Sequence, residues 1–224
     1  MSAPRAGTLA HLAAIRERLA AAHGPRPWGR HHDPLAELVT TILSQSTTDA
    51  NQFRAFDALR ERFPTWRAVA AAPTARVADT IRMAGLADQK APRIQAVIRW
   101  AESHPRGADL EWLGDLPVGE AIAELVTLPG IGHKTAACVL CFSFNRPVLP
   151  VDTHVHRIAL RTHMVPAGTD PRRAQERLSR RTPDGCHYPT HMQLIAHGRA
   201  VCRAREPRCD SCVLQELCPS GRHT

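Results

Sequence analysis

The stretch LPGIGHKTAA, Leu128 to Ala137, decides how this chain is read. Gly130 and Gly132 flank Ile131, Pro129 stands before them, and Lys134 follows two residues after the second glycine. Helical apolar spacing ends near Val126 and resumes from Thr135 to Phe144, so the stretch is a tight turn joining two helices. Glycine lets the backbone adopt positive φ and approach another surface closely, which a side chain would block. A turn of this kind presents amide N–H groups at a helix N-terminus, a ready site for a phosphate oxygen. Taken alone, Gly-x-Gly is more often a mere connection.

Charge gives the turn its meaning. The 224-residue chain carries a formal charge of +8, which points to a polyanionic partner, nucleic acid before membrane. Only two of its 29 basic residues are lysines, Lys90 and Lys134. Where arginine supplies generic charge, a retained lysine suggests a need for an amine that can lose its proton. Lys134 falls in the first turn of the second helix, where the positive end of the helix dipole disfavours another cation and pulls the amine's pKa down. A partly neutral amine is a nucleophile that attacks electrophilic carbon and forms Schiff bases.

The rest of the chain reads as all-α. Helical apolar spacing recurs over residues 8–22, 34–44, 48–62, 74–83, 89–104, 117–126, 133–144, 152–163, 171–181 and 190–202, with no convincing strand alternation. Asp33-Pro34 and Asp170-Pro171 each place a capping carboxylate before a proline suited to the first helical position. NRPVLPV, Asn145 to Val151, has too many prolines for a helix and reads as an extended crossing between two lobes. The expected division is a helical lobe over residues 27–148, with residues 1–26 joining 149–224 in a second lobe. No run of 18 apolar residues exists and the N-terminal segment is too charged for a signal peptide, so the expected location is the cytoplasm, without membrane association.

In a reducing compartment seven cysteines imply metal or catalysis rather than disulfides. Cys138 and Cys141 lie three apart inside an apolar run and read as small core residues; Cys186 has no evident role. Cys202, Cys209, Cys212 and Cys218 crowd into CRAREPRCDSCVLQELC, with spacers of six, two and five residues. Four thiolates so close in sequence can hold a tetrahedral zinc or an iron–sulfur cluster. His187 and His191 look ligand-like by spacing, but Pro189 between them argues against one helical face, so structural roles are expected.

LPGIGHKTA, followed 18 residues after Lys134 by the aspartate of VDTHVHR, resembles the helix-hairpin-helix DNA glycosylases, specifically the endonuclease III group. ILSQSTTDA, AGLADQKA, HGRAVC and the four-cysteine tail add to the likeness, which runs from about Asp33 to Cys218. The resemblance implies a two-lobed all-α fold, a barrel-like helical lobe beside a lobe holding a 4Fe-4S cluster on Cys202, Cys209, Cys212 and Cys218. It implies a monomeric base excision repair enzyme that removes oxidised pyrimidines from duplex DNA and cleaves abasic sites. Lys134 would attack C1′ of a flipped-out nucleotide and Asp152 would assist it.

By the same resemblance Leu86 is an apolar wedge beside the extruded base. Gln45 and Ser46 lie in the loop that fills the vacated gap. Ser46 stands where the family often has glutamine, so gap filling is expected to be weaker, and Ala87, where better-known members are larger, suggests an altered pocket or wedge. Gly130, Gly132 and His133 would meet phosphate, as would Arg203, Arg205 and Arg208 of the cysteine loop, and His154 would orient or shield the site. Three rivals stand beside this reading. Mismatch adenine glycosylases share the cysteine tail but lack a lysine at position 134, a non-catalytic hairpin module would only grip DNA, and a redox sensor would switch DNA affinity through the cluster.

Overall fold

The computed structural model describes residues 4–30 and 32–222, and every regular element among them is helical. The chain forms two compact units, residues 30–144 and residues 1–29 with 145–224.

The unit of residues 30–144 is built around α2 (Pro34–Ser44). Asp33 accepts the Ala36 N–H at 2.8 Å and Pro34 occupies the first turn, as the Asp-Pro pair predicts. Residues 34–43 are all buried, because α3 (Asp49–Arg62), α6 (Ala87–Ser103) and α8 (His133–Phe144) pack on different sides of this one helix. Leu38, Val39, Ile42 and Leu43 are fully enclosed. Each such side chain contributes about 1.5–3 kcal/mol by leaving water, and Ile42→Ala would cost roughly 2–5 kcal/mol. Cys138 and Cys141 sit in this core on α8.

The unit also contains α5 (Thr74–Thr80) and α7 (Val118–Leu125). Between α3 and α5 runs α4 (Trp66–Ala71), which the sequence reading passes over as a connection. Its six residues are too few for a periodicity to show. It persists because Thr65 caps it and Gln95 of α6 donates to the carbonyls of Val69 (2.9 Å) and Ala72 (2.7 Å) at its end.

The other unit packs α1 (Leu9–His23), α9 (Thr153–Arg161), α10 (Pro171–Arg181) and α11 (His187–Ala200) around Leu12, Ile15, Leu19, Val155, Ile158, Leu178 and Leu194. Buried histidines tie its loops down: His11 Nε2 meets the Leu217 carbonyl at 2.8 Å and His191 Nδ1 the Pro150 carbonyl at 2.9 Å. The reading of Pro189 needs correcting. It lies in the first turn of α11, where a missing N–H leaves no helical bond broken, so His187 and His191 do share one helix. Both are buried, with His187 on the Ser179 carbonyl, in structural roles. Residues 145–152 carry no helix.

Candidate active site

The turn before α8 is fixed from within. Leu128 and Ile131 bury their side chains, and the Ile131 N–H closes onto the Leu128 carbonyl at 3.1 Å. Gly130 takes φ +78°, so its backbone conformation calls for glycine; a Cβ there would stand 2.6 Å from Cδ of Arg93, a flexible side chain that would have to shift. Gly132 departs from expectation. Its φ is not positive and a Cβ would meet nothing of the protein within 4 Å. Neither strain nor internal packing demands a glycine at position 132, which leaves the start of α8 bare on its outer side.

His133 and Lys134 open α8, both half-buried. On α2, within the same unit, Glu37 is 7% exposed and electrostatically coupled to the Lys134 ammonium. Burial lifts its carboxyl to about pKa 7, opposed by a hydrogen bond from the Thr41 hydroxyl (3.3 Å) and by the Lys134 charge.

Two further loops of this unit end in left-handed residues. Gln45 caps the C-terminus of α2 and its Nε2 donates to the Gly130 carbonyl at 3.4 Å, which joins this loop to the hairpin turn. Ser46, next in line, has φ +53° and is exposed. Leu86, immediately before α6, has φ +50° and is 49% exposed. A leucine left half exposed in a left-handed backbone costs about 1–2 kcal/mol of strain and recovers only part of the gain of full burial, unlike a buried helix-end contact.

In the other unit Asp152 caps α9, its Oδ1 accepting the Val155 N–H at 2.8 Å. His154 is committed to packing. Its Nδ1 lies 3.1 Å from Nη2 of Arg157, and its Cβ sits so close to Gly198 of α11 that a methyl there would approach to 2.8 Å. Cys202, Cys209, Cys212 and Cys218 line one cavity of about 230 Å³ with Arg161, His197 and Leu214. Among the described residues no three His, Cys, Asp or Glu side chains gather tightly enough for a single ion. Arg203, Arg205 and Arg208 are exposed on the loop between the first two of these cysteines.

A family model described as HhH-GPD superfamily base excision DNA repair protein matches residues 39–184. The chain is 35% identical to endonuclease III of Thermotoga maritima over 83% of each chain, and 36% identical to endonuclease III of Treponema pallidum over 92% of this chain and 93% of that one. The chain belongs to the endonuclease III family. A solved structure of a trapped endonuclease III–DNA covalent intermediate superposes with a TM-score of 0.82 at 28% identity, covering 96% of this chain and 97% of the other. This endonuclease III family member therefore has the all-α helix-hairpin-helix glycosylase fold and is a DNA-binding base excision repair enzyme of the DNA glycosylase and abasic-site lyase class.

Sequence reasoning missed several residues that surround the candidate groups within each unit of this endonuclease III relative. Arg157 and Arg161 of α9 pin the arginine loop: Arg157 Nε donates to the Cys202 carbonyl (2.9 Å), while Arg161 donates to the carbonyls of Arg203 (2.6 Å) and Ala204 (3.1 Å) and reaches Cys202 Sγ (3.4 Å). His197 Nε2 lies 3.4 Å from Cys212 Sγ, and its Nδ1 3.1 Å from His23 Nε2 of α1. Arg157 and His197 stand inside VDTHVHR and HGRAVC, yet neither string says what they touch. Glu37 had a signal, being the single charged residue in the run PLAELVTTIL.

Proposed function

We propose that this enzyme removes oxidised pyrimidines from duplex DNA and then cleaves the strand at the resulting abasic site through a Schiff base on Lys134. The observation that carries the reading is the placement of the amine. It sits in the first turn of α8, directly behind the Gly130 turn, and that turn is bonded through Gln45 to a loop bearing the exposed Ser46. Nucleophile, phosphate-binding turn and gap-filling loop thus belong to one unit, with the outward Leu86 in the same unit as wedge.

The damaged nucleotide leaves the stack because its C1′ is inaccessible inside the duplex. Leu86 fills space beside it, and the N–H groups at the start of α8 hold a backbone phosphate. The neutral Lys134 amine donates its lone pair to C1′ as the C1′–N bond to the base breaks, and the base departs with the electron pair and takes up a proton. Asp152, which spends one carboxylate oxygen on capping α9, stabilises the developing positive charge on the sugar and accepts the proton shed by the attacking amine. Opening of the sugar ring leaves an iminium linkage. Loss of a C2′ proton then expels the 3′ phosphate oxygen, and water hydrolyses the imine to free Lys134.

The four cysteine thiols fit a 4Fe-4S cluster. They line one cavity of about 230 Å³, room for a group larger than a single ion. We assign Cys202, Cys209, Cys212 and Cys218 as its ligands, and the cluster's contribution is architectural. Arg157 and Arg161 hold the loop between the first two ligands so that Arg203, Arg205 and Arg208 face outward for phosphate.

Borohydride trapping tests the reaction. With an abasic-site duplex the wild type should form a covalent adduct that Lys134→Ala abolishes, and no adduct from the wild type would leave only a DNA-gripping module. A panel of duplexes carrying different damaged bases tests the substrate, and release of bases other than oxidised pyrimidines alone would overturn that part. Purified protein should be brown with acid-labile sulfide; colourless protein containing zinc would overturn the cluster.

A further inference from the structure

Lys90, the other of the two lysines, has no part in the chemistry above, yet it is among the largest fully buried side chains of the protein, 1% exposed. It stands in the first turns of α6, and its Nζ donates to two backbone carbonyls, Leu43 and Ala84, at 2.8 Å each. Burial lowers its pKa to about 8. An amine so enclosed is costly unless its donors are paired, and here two backbone carbonyls pair it.

The two carbonyls are the roots of the two DNA-reading loops. Leu43 lies in the last turn of α2, where helical carbonyls lack an internal partner, two residues before Gln45 and three before Ser46. Ala84 ends the short 3₁₀ segment Arg82–Ala84, two residues before Leu86. The loops also run close to one another, since a Cβ built at Gly85 (φ +71°) would lie 3.9 Å from the Ser46 carbonyl. Both turn on left-handed residues, a conformation that persists only when the surroundings fix it.

The geometry points to Lys90 as a positioning residue for base extrusion: its ammonium clamps the Gln45-Ser46 loop to the Leu86 wedge, so that gap filler and wedge enter the duplex as one rigid pair. This rests on the reading of Leu86 as wedge. A single rotatable ammonium on a flexible stem serves both converging carbonyls, a task that a compact point charge suits better than the larger, planar guanidinium. The usage of lysine at position 90 thus has a reason distinct from that at 134.

A double-mutant cycle tests it. Lys90→Met, Leu86→Ala and the pair are compared on a duplex bearing an oxidised pyrimidine and on single-stranded abasic DNA, with rates referred to the enzyme fraction that borohydride traps. That normalisation removes loss of folded protein. Lys90→Met should lower the duplex rate at least 10-fold and leave the single-stranded rate within about twofold. Added to Leu86→Ala, it should cost little more. If Leu86→Ala alone changes nothing, the wedge reading falls. If Leu86→Ala slows the duplex reaction and Lys90→Met multiplies that loss in full, or slows both substrates alike, the wedge stands and the clamp is overturned. Should Lys90→Met not accumulate, Lys90→Gln, which keeps two N–H groups on one nitrogen with a shorter reach, is run through the same cycle with the same refuting outcomes.

Discussion

Replacing Glu37 by glutamine should make the protein more stable in alkaline solution and leave it nearly unchanged in acid. Glu37 is enclosed in α2, and burial raises its pKa from the ordinary 4.5 to about 7 despite the Thr41 hydroxyl and the Lys134 charge, both of which favour the carboxylate. A carboxyl whose folded pKa exceeds its unfolded one contributes stability that is complete below about pH 4.5 and is lost as pH rises through about 7. The gap of roughly 2.5, at about 1.4 kcal/mol for each pH unit, amounts to about 3 kcal/mol at pH 8.5 and below about 1 kcal/mol at pH 5. Glutamine has the shape of the neutral acid, accepts the same Thr41 hydrogen bond through its amide oxygen, and never ionises. For a chain of this size about 3 kcal/mol corresponds to a rise in Tm of roughly 6–12 °C. Urea or thermal unfolding of wild type and Glu37→Gln at pH 5 and pH 8.5 checks this. Parallel pH profiles for the two proteins would show that Glu37 ionises without hindrance and would refute the argument.

Three further outcomes are expected. Gly198→Ala drives a methyl to 2.8 Å from His154 Cβ between α9 and α11, so it should lose about 1–3 kcal/mol, seen as a lower Tm, and Gly119→Ala, which meets nothing within 4 Å, should not. Ser46→Gln should raise turnover on damaged duplex by supplying the volume and amide groups that serine lacks; equal or lower turnover would discredit the gap-filling role. Neutralising Arg203, Arg205 and Arg208 together should reduce the salt dependence of DNA binding by close to one in log–log slope for each arginine that meets a phosphate, and an unchanged slope would remove this loop from the interface.

Capping, periodicity and turn chemistry are local, and the sequence carries them openly. Asp33-Pro34 and Asp170-Pro171 open their helices because carboxylate, proline and amide are neighbours along the chain. The helix over 133–144 follows from an unbroken apolar run behind a glycine turn. Gly130 is right for the stated reason, whereas Gly132 takes no positive φ, since a chain motif says that room is kept without saying on which side. Helix α4 escaped notice because its support comes from Gln95, more than twenty residues away. Pro189 misled because a proline breaks a helix only beyond its first turn.

By itself, then, the sequence determined an all-helical DNA repair enzyme of the endonuclease III family and supplied Lys134 as the nucleophile proposed for it. Only the tertiary structure decided what surrounds that chemistry: a buried carboxyl coupled to Lys134, an ammonium at Lys90 tying carbonyls 47 and 6 residues away, and arginines of α9 holding the cysteine loop. The physical reason is range. Propensities and caps act over one or two turns of chain, whereas desolvation and the pairing of orphaned carbonyls depend on which distant segments close around a group.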